Sequence, residues 1–117
     1  MPRPVVMRHR RGAPEKRLQH QIRRALEQLG CEVLDLTQPR RTMLPLGLPD
    51  LYVRHEGWRV RVWMEVKTER GRLSPWQEAW LARERAAGGH AAVVRSVEDA
   101  IHALREAGAP IETPTGR

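Results

Sequence analysis

The chain has 117 residues, enough for one domain with a modest core. Its 21 Lys and Arg outnumber 14 Asp and Glu, and a formal charge of +7 with a pI near 11.1 favours a polyanionic partner. No apolar run spans a membrane and no signal-peptide h-region is present, while the single Cys31 excludes an internal disulfide and a four-cysteine zinc site, so a reducing, cytoplasmic setting is expected.

The charge is uneven. Arg3, Arg8, Arg10, Arg11, Lys16, Arg17, Arg23 and Arg24 crowd the first quarter. Residues 1–12 carry prolines and arginines without periodicity and are expected to form a flexible basic arm. A phosphate-binding arm and a solvated tail fit equally, with Arg11, and Lys16 just beyond the arm, as candidate DNA contacts.

A helix is predicted over 14–29. Pro14 suits its first turn and Gly30 the position past its end. Leu18, Ile22, Ala25, Leu26 and Leu29 form the apolar stripe. Glu15 falls on that stripe with Gln19 beside it, and an acid on a buried face needs a partner. Its bland role is to complement the positive end of the helix dipole.

Residues 31–36 alternate loosely and predict a first strand, in which Cys31 is a small core residue. Residues 37–49 form a loop with three prolines, and a loop this long is often functional. Arg40 and Arg41 within it fit either phosphate contact or a solvated pair. A second strand is expected at 50–54 and a turn at 55–57. A third strand at 58–67 would be antiparallel to the second, because the turn is short.

In that third strand Val60, Val62, Met64 and Val66 take one face as core. Arg59, Arg61, Trp63, Glu65 and Lys67 take the other. Two acids from adjacent strands, Asp50 and Glu65, with the Lys67 ammonium beside them, suit a hard divalent cation and an activated water. Of the 21 basic residues only Lys16 and Lys67 are lysines. Arginine serves phosphate contact through its fork, whereas a compact ammonium suits a place beside a water and an ion.

Residues 68–73 are a polar connection. Ser74-Pro75-Trp76-Gln77 then opens a second helix, with Ser74 as N-cap and Gln77 where a capping box takes Glu or Gln. A stripe of Trp76, Ala79, Trp80 and Arg83 is expected to pack, with Glu84 as its exposed continuation, and Gly88-Gly89 ends the helix. A fourth strand follows at 91–95. The capping pattern recurs at Ser96-Val97-Glu98-Asp99, and a last helix with Ala100, Ile101 and Leu104 stops at Gly108. Residues 109–117 are expected to be a flexible tail. The five histidines show no metal-ligand spacing, and there is no repeat or glycine-rich phosphate loop.

Gly47-Leu48-Pro49-Asp50-Leu51, then Glu65-Val66-Lys67, then Leu73-Ser74-Pro75-Trp76-Gln77 and Gly88 resemble the VRR-NUC branch of the PD-(D/E)xK nuclease superfamily. The likeness covers about residues 13–105. It implies an α/β fold with a restriction-endonuclease-like core: a central mixed sheet flanked by helices, in αβββαβ order with a C-terminal helix. A nuclease domain over 13–108 follows. The resemblance also implies a metal-dependent, structure-specific DNA endonuclease acting on branched DNA such as Holliday junctions, in a bacterial or phage-infected cell. Mg²⁺, with Mn²⁺ as substitute, would be held by Asp50, Glu65 and the Val66 carbonyl, with Lys67 catalytic. Glu15 would be a third carboxylate near the metal, and Gln77 would lie close to the active centre. Cutting two strands symmetrically needs two sites, so a homodimer is expected. A nickase, a restriction- or repair-type subunit, or a non-catalytic basic DNA-binding module remain open on the same residues.

Overall fold

The computed structural model describes residues 12–37 and 45–112. Arg11, Arg40 and Arg41, most of the expected arm and residues 113–117 of the expected tail lie outside them.

Helix α1 (Ala13–Gln28) carries Pro14 in its first turn and buries Gln19, Ile22 and Leu26. It stops because Gly30 takes φ 90, a left-handed conformation without penalty for glycine. The amide of Cys31 then donates back to Leu26 O at 3.0 Å. Four strands follow: β1 (Glu32–Asp35), β2 (Leu51–His55), β3 (Val60–Val66) and β4 (Ala91–Val94). They lie in the order β1-β2-β3-β4. The first three are antiparallel, and β4 runs parallel to β3. Between β3 and β4 the chain crosses through α2 (Pro75–Ala86), and α3 (Val97–Glu106) closes the fold. The expected mixed sheet with flanking helices, and the expected element order, are observed.

Alternation divides the sheet into two faces. Val33, Leu51, Val53, Val60, Val62, Met64, Val66 and Val94 form one core with Ile22 and Leu26 of α1 and Ala100, Ala103 and Leu104 of α3. Each such large side chain contributes about 1.5–3 kcal/mol by leaving water. The other face meets α2. There Trp63 of β3 packs edge-on against Trp80 at 4.9 Å, and Tyr52 lies beside Trp63. The β1–β2 part of this face is open, with Leu34 44% exposed.

Three local expectations shift. Strand β3 begins at Val60 because the turn occupies 56–59, and its left-handed residue is Arg59 (φ 57) rather than Gly57. The cause is His55, whose Nδ1 accepts from the Trp58 amide and whose ring stacks on Trp58, widening the loop. Of the expected stripe of Trp76, Ala79, Trp80 and Arg83, Trp80 packs, edge-on against Trp63, while Trp76, Ala79 and Arg83 are exposed. Leu81 is the buried residue, and Gln77 and Glu84 flank it, while Trp76 is 49% exposed. Once Gln77 is turned toward the sheet, Leu81 follows it one turn later. Finally, the chain stays packed beyond the expected boundary at 108. Ala109 is buried, Ile111 rests on the core, and Arg105 Nε donates to Ile111 O at 2.9 Å.

Candidate active site

The site forms where β2 begins and β3 ends. The ladder pairs Leu51 with Met64, so one step further Asp50 faces Glu65 across the strands. Both are on the α2 face, opposite the valine row. Asp50 and Glu65 are 3% and 2% exposed, the buried acids of the described residues. The Val66 amide donates to Asp50 Oδ2 at 2.8 Å, so this carboxylate extends the sheet pairing past its last backbone bond. The Leu36 amide donates to Asp50 O at 2.8 Å, which ties the same residue to the exit of β1.

Glu65 is held from two sides. Gln77 Nε2 donates to Glu65 Oε2 at 3.0 Å, and Lys67 Nζ lies 3.8 Å from the same oxygen. The amide of Gln77 is oriented by the helix cap. Its Oε1 accepts from the Ser74 amide at 2.9 Å, while its own backbone N–H donates to Ser74 Oγ at 3.1 Å. The capping role and the contact with Glu65 are therefore both made, by opposite ends of one amide. A glutamate would cap as well but has no donor for Glu65.

Lys67 continues the ladder after β3, with its amide donating to Val94 O at 3.1 Å. Its side chain is 14% exposed. Two carboxylates this deeply buried are unfavourable unless positive charge compensates them. A lysine at 3.8 Å supplies part of that charge.

Gly47 sets the approach of the loop to α2. It adopts φ 84, and a Cβ there would lie 2.2 Å from Trp76 O and 3.0 Å from Gln77 N. Only glycine allows the chain entering Asp50 to press on the first turn of α2. The motif singled out this position, but periodicity gives it no role, since the constraint comes from the backbone of Trp76 in another element.

Other expected site residues fall at varied places. Glu15 is half-buried in the first turn of α1. Among the described residues no three His, Cys, Asp or Glu side chains lie together as a metal-holding group, so Glu15 does not complete a trio with Asp50 and Glu65 in this geometry. Lys16 is exposed on α1. Gln19, noted only as a neighbour of Glu15, donates through Nε2 to Thr37 Oγ1 at 3.1 Å. Thr37 in turn binds Asp35 through both amide and hydroxyl. This network fastens α1 to the exit of β1, beside the backbone that carries Asp50. Its signal was a polar residue on an apolar stripe.

Cys31 is buried in the core, and burial pushes its thiol above the ordinary value. That keeps it neutral and unreactive.

The VRR-NUC domain family matches residues 11–98, more than half of the chain. A solved structure titled VRR_NUC domain superposes with a TM-score of 0.64 at 28% identity, covering 80% of this chain and 97% of that one. No curated protein sequence matches.

Proposed function

The chain belongs to the VRR-NUC domain family, a nuclease-type domain, and from that premise we propose that it is a metal-dependent, structure-specific DNA endonuclease acting on branched DNA such as a Holliday junction. One observation carries the reading: Asp50 and Glu65 are buried opposite one another on adjacent strands, with Lys67 on the same face.

The donor set fits Mg²⁺, with Mn²⁺ as substitute. All its atoms are oxygens: the carboxylates of Asp50 and Glu65 and the Val66 carbonyl. Mg²⁺ sites commonly use one or two carboxylates and leave the remaining positions to water and substrate phosphate. The ion supplies charge neutralisation at the scissile phosphate and a lowered pKa for the attacking water. Everything else falls to the chain. Asp50 is fixed by the Val66 amide. Glu65 is fixed by Gln77. Lys67 places an ammonium beside Glu65, where it orients the water and offsets charge developing on the phosphate. Glu15, half-buried in the first turn of α1, would sit in or next to the ion's first shell.

The excess of arginine suits phosphate contact without base reading, which fits selection by DNA shape. Lys16, with Arg11, Arg40 and Arg41, supplies such contacts. Two symmetric cuts need two sites, so the junction reading carries a two-fold homodimer with it.

The test is cleavage of a labelled four-way junction and a matched linear duplex, with Mg²⁺, with Mn²⁺ and with EDTA. Metal-dependent cutting selective for the junction is expected. Equal cutting of both DNAs removes the junction preference and keeps the nuclease. Binding without products under any metal removes the nuclease.

A further inference from the structure

Arg95 lies just past β4, outside the motifs and outside the acid pair, yet its side chain ends at the loop that follows Lys67. Its backbone is anchored first: the Arg95 amide donates to Asp99 Oδ2 at 2.9 Å, in the first turn of α3. Asp99 is itself held there by its own amide, which donates to Ser96 Oγ at 3.0 Å. From this base the guanidinium reaches across to the 68–71 turn. Nη1 donates to Thr68 O at 2.7 Å and to Gly71 O at 2.7 Å, with Glu69 O at 3.4 Å. The turn is closed by the Gly71 amide donating to Thr68 O at 3.0 Å.

Three carbonyl oxygens aimed at one point repel each other unless a donor stands among them. A cationic donor suits that point, because charge-assisted hydrogen bonds are the stronger kind. Held this way, the turn folds back over Lys67. A Cβ added at Gly71 would meet Lys67 Cδ at 3.3 Å and Lys67 Cβ at 3.4 Å. The backbone of Gly71 therefore flanks the lysine stem, whose far end sits 3.8 Å from Glu65 Oε2.

We propose that Arg95 is the positioning residue for Lys67: it braces the 68–71 turn against the lysine stem and so keeps the ammonium beside Glu65. A lysine side chain is flexible over four carbons, so without a wall the ammonium spreads over many positions. Arg95 is exposed on the surface. Its removal takes away the brace and leaves the hydrophobic core untouched. The consequence for cleavage rests on the nuclease reading above, whereas the brace itself does not.

The two-lysine composition gives a probe that needs no activity. The full chain labelled with ¹³C-lysine shows two sets of side-chain signals, Lys67 and the exposed Lys16 as internal reference. In the wild type the two Hε protons of Lys67 are expected to be inequivalent, as in a side chain held in one position. Arg95→Ala should merge them toward the averaged signal of Lys16. Arg95→Lys, which keeps several donors on a shorter reach, should restore part of the splitting. Gly71→Ala tests the same contact from the other side, because its methyl presses on the stem while Arg95 remains. In cleavage assays Arg95→Ala should lower kcat by roughly ten- to a hundredfold, the scale of a misplaced catalytic group, with KM for DNA little changed.

An unchanged Lys67 signal in Arg95→Ala overturns the brace, whatever Gly71→Ala shows. A Lys67 signal that moves while kcat stays at the wild-type value overturns its catalytic consequence. If the wild type cuts no DNA, the nuclease reading is what has failed, and the NMR arm still decides the brace.

Discussion

Strand β3 presents two faces built from alternate positions of one seven-residue strand. Toward α1 and α3 it shows Val60, Val62, Met64 and Val66, buried and apolar. Toward α2 it shows Arg61, Trp63 and Glu65, and Lys67 follows just beyond its end. The first face meets a close-packed core in which shape and volume decide stability. The second brings buried charge together, which is unfavourable for folding and suited to chemistry. A one-residue slip of register would exchange the two. The Asp50 carboxylate guards against that slip where the ladder ends, because it accepts from the Val66 amide.

The largest expected effects separate the faces most clearly. Glu65→Gln keeps the volume and removes the charge. It should lower cleavage on the order of 10³-fold, as loss of a transition-state electrostatic group does, with stability retained or raised. Met64→Ala, its neighbour on the other face, should destabilise by about 2–5 kcal/mol, while the fraction still folded cuts normally. Urea unfolding paired with single-turnover cleavage checks both. Variants that lose stability and activity in the same proportion on both faces would break the comparison.

Gly47→Ala comes next. The added methyl meets the Trp76 carbonyl at a forbidden distance, and alanine resists φ 84. A loss on the order of 1–3 kcal/mol is expected, together with reduced cleavage as Asp50 shifts. Thermal melts and cleavage rates read the two parts. Gln77→Glu is sharper but smaller. It keeps the capping acceptor, loses the donor to Glu65 and sets two carboxylates together. Helix stability should change little, while cleavage should fall about tenfold, the worth of a hydrogen bond to a charged group.

The smallest effect belongs to the apolar face, whose titrating group is Cys31. Burial raises its folded value above the ordinary 9.0, so the folded state retains a proton that the unfolded chain releases. That contribution to stability is present below pH 9 and is lost as pH rises above it. Cys31→Ala should flatten the decline, as followed by urea midpoints from neutral to alkaline pH.

The sheet and its faces were legible because strand alternation is local: the valine row and Glu65-Val66-Lys67 can be read without knowing any partner. The helix starts were legible too, since Ser74 and Ser96 are N-cap residues whose hydroxyls accept from the amides three residues on, those of Gln77 and Asp99. What escaped the sequence depends on distant groups. The phase of α2 depends on Gln77 reaching Glu65, which turned Trp76 outward and Leu81 inward. Gly47 is fixed by backbone of another element. Arg95 binds carbonyl oxygens, and carbonyls have no signature in a sequence. The shape of the 56–59 turn depends on the His55 ring stacked on Trp58, which no local pattern announces.

The central claim is that the α2 face of β3 carries out phosphodiester hydrolysis while the opposite face holds the fold. Its most direct test is Lys67→Ala beside the wild type, on labelled four-way junction with Mg²⁺ under single-turnover conditions, with thermal unfolding of both proteins. The account predicts wild-type cutting that EDTA abolishes, no cutting by the variant, and a cooperative melt for both that lies lower in the variant, where buried Glu65 loses its ammonium. A variant that cuts at the wild-type rate would contradict it.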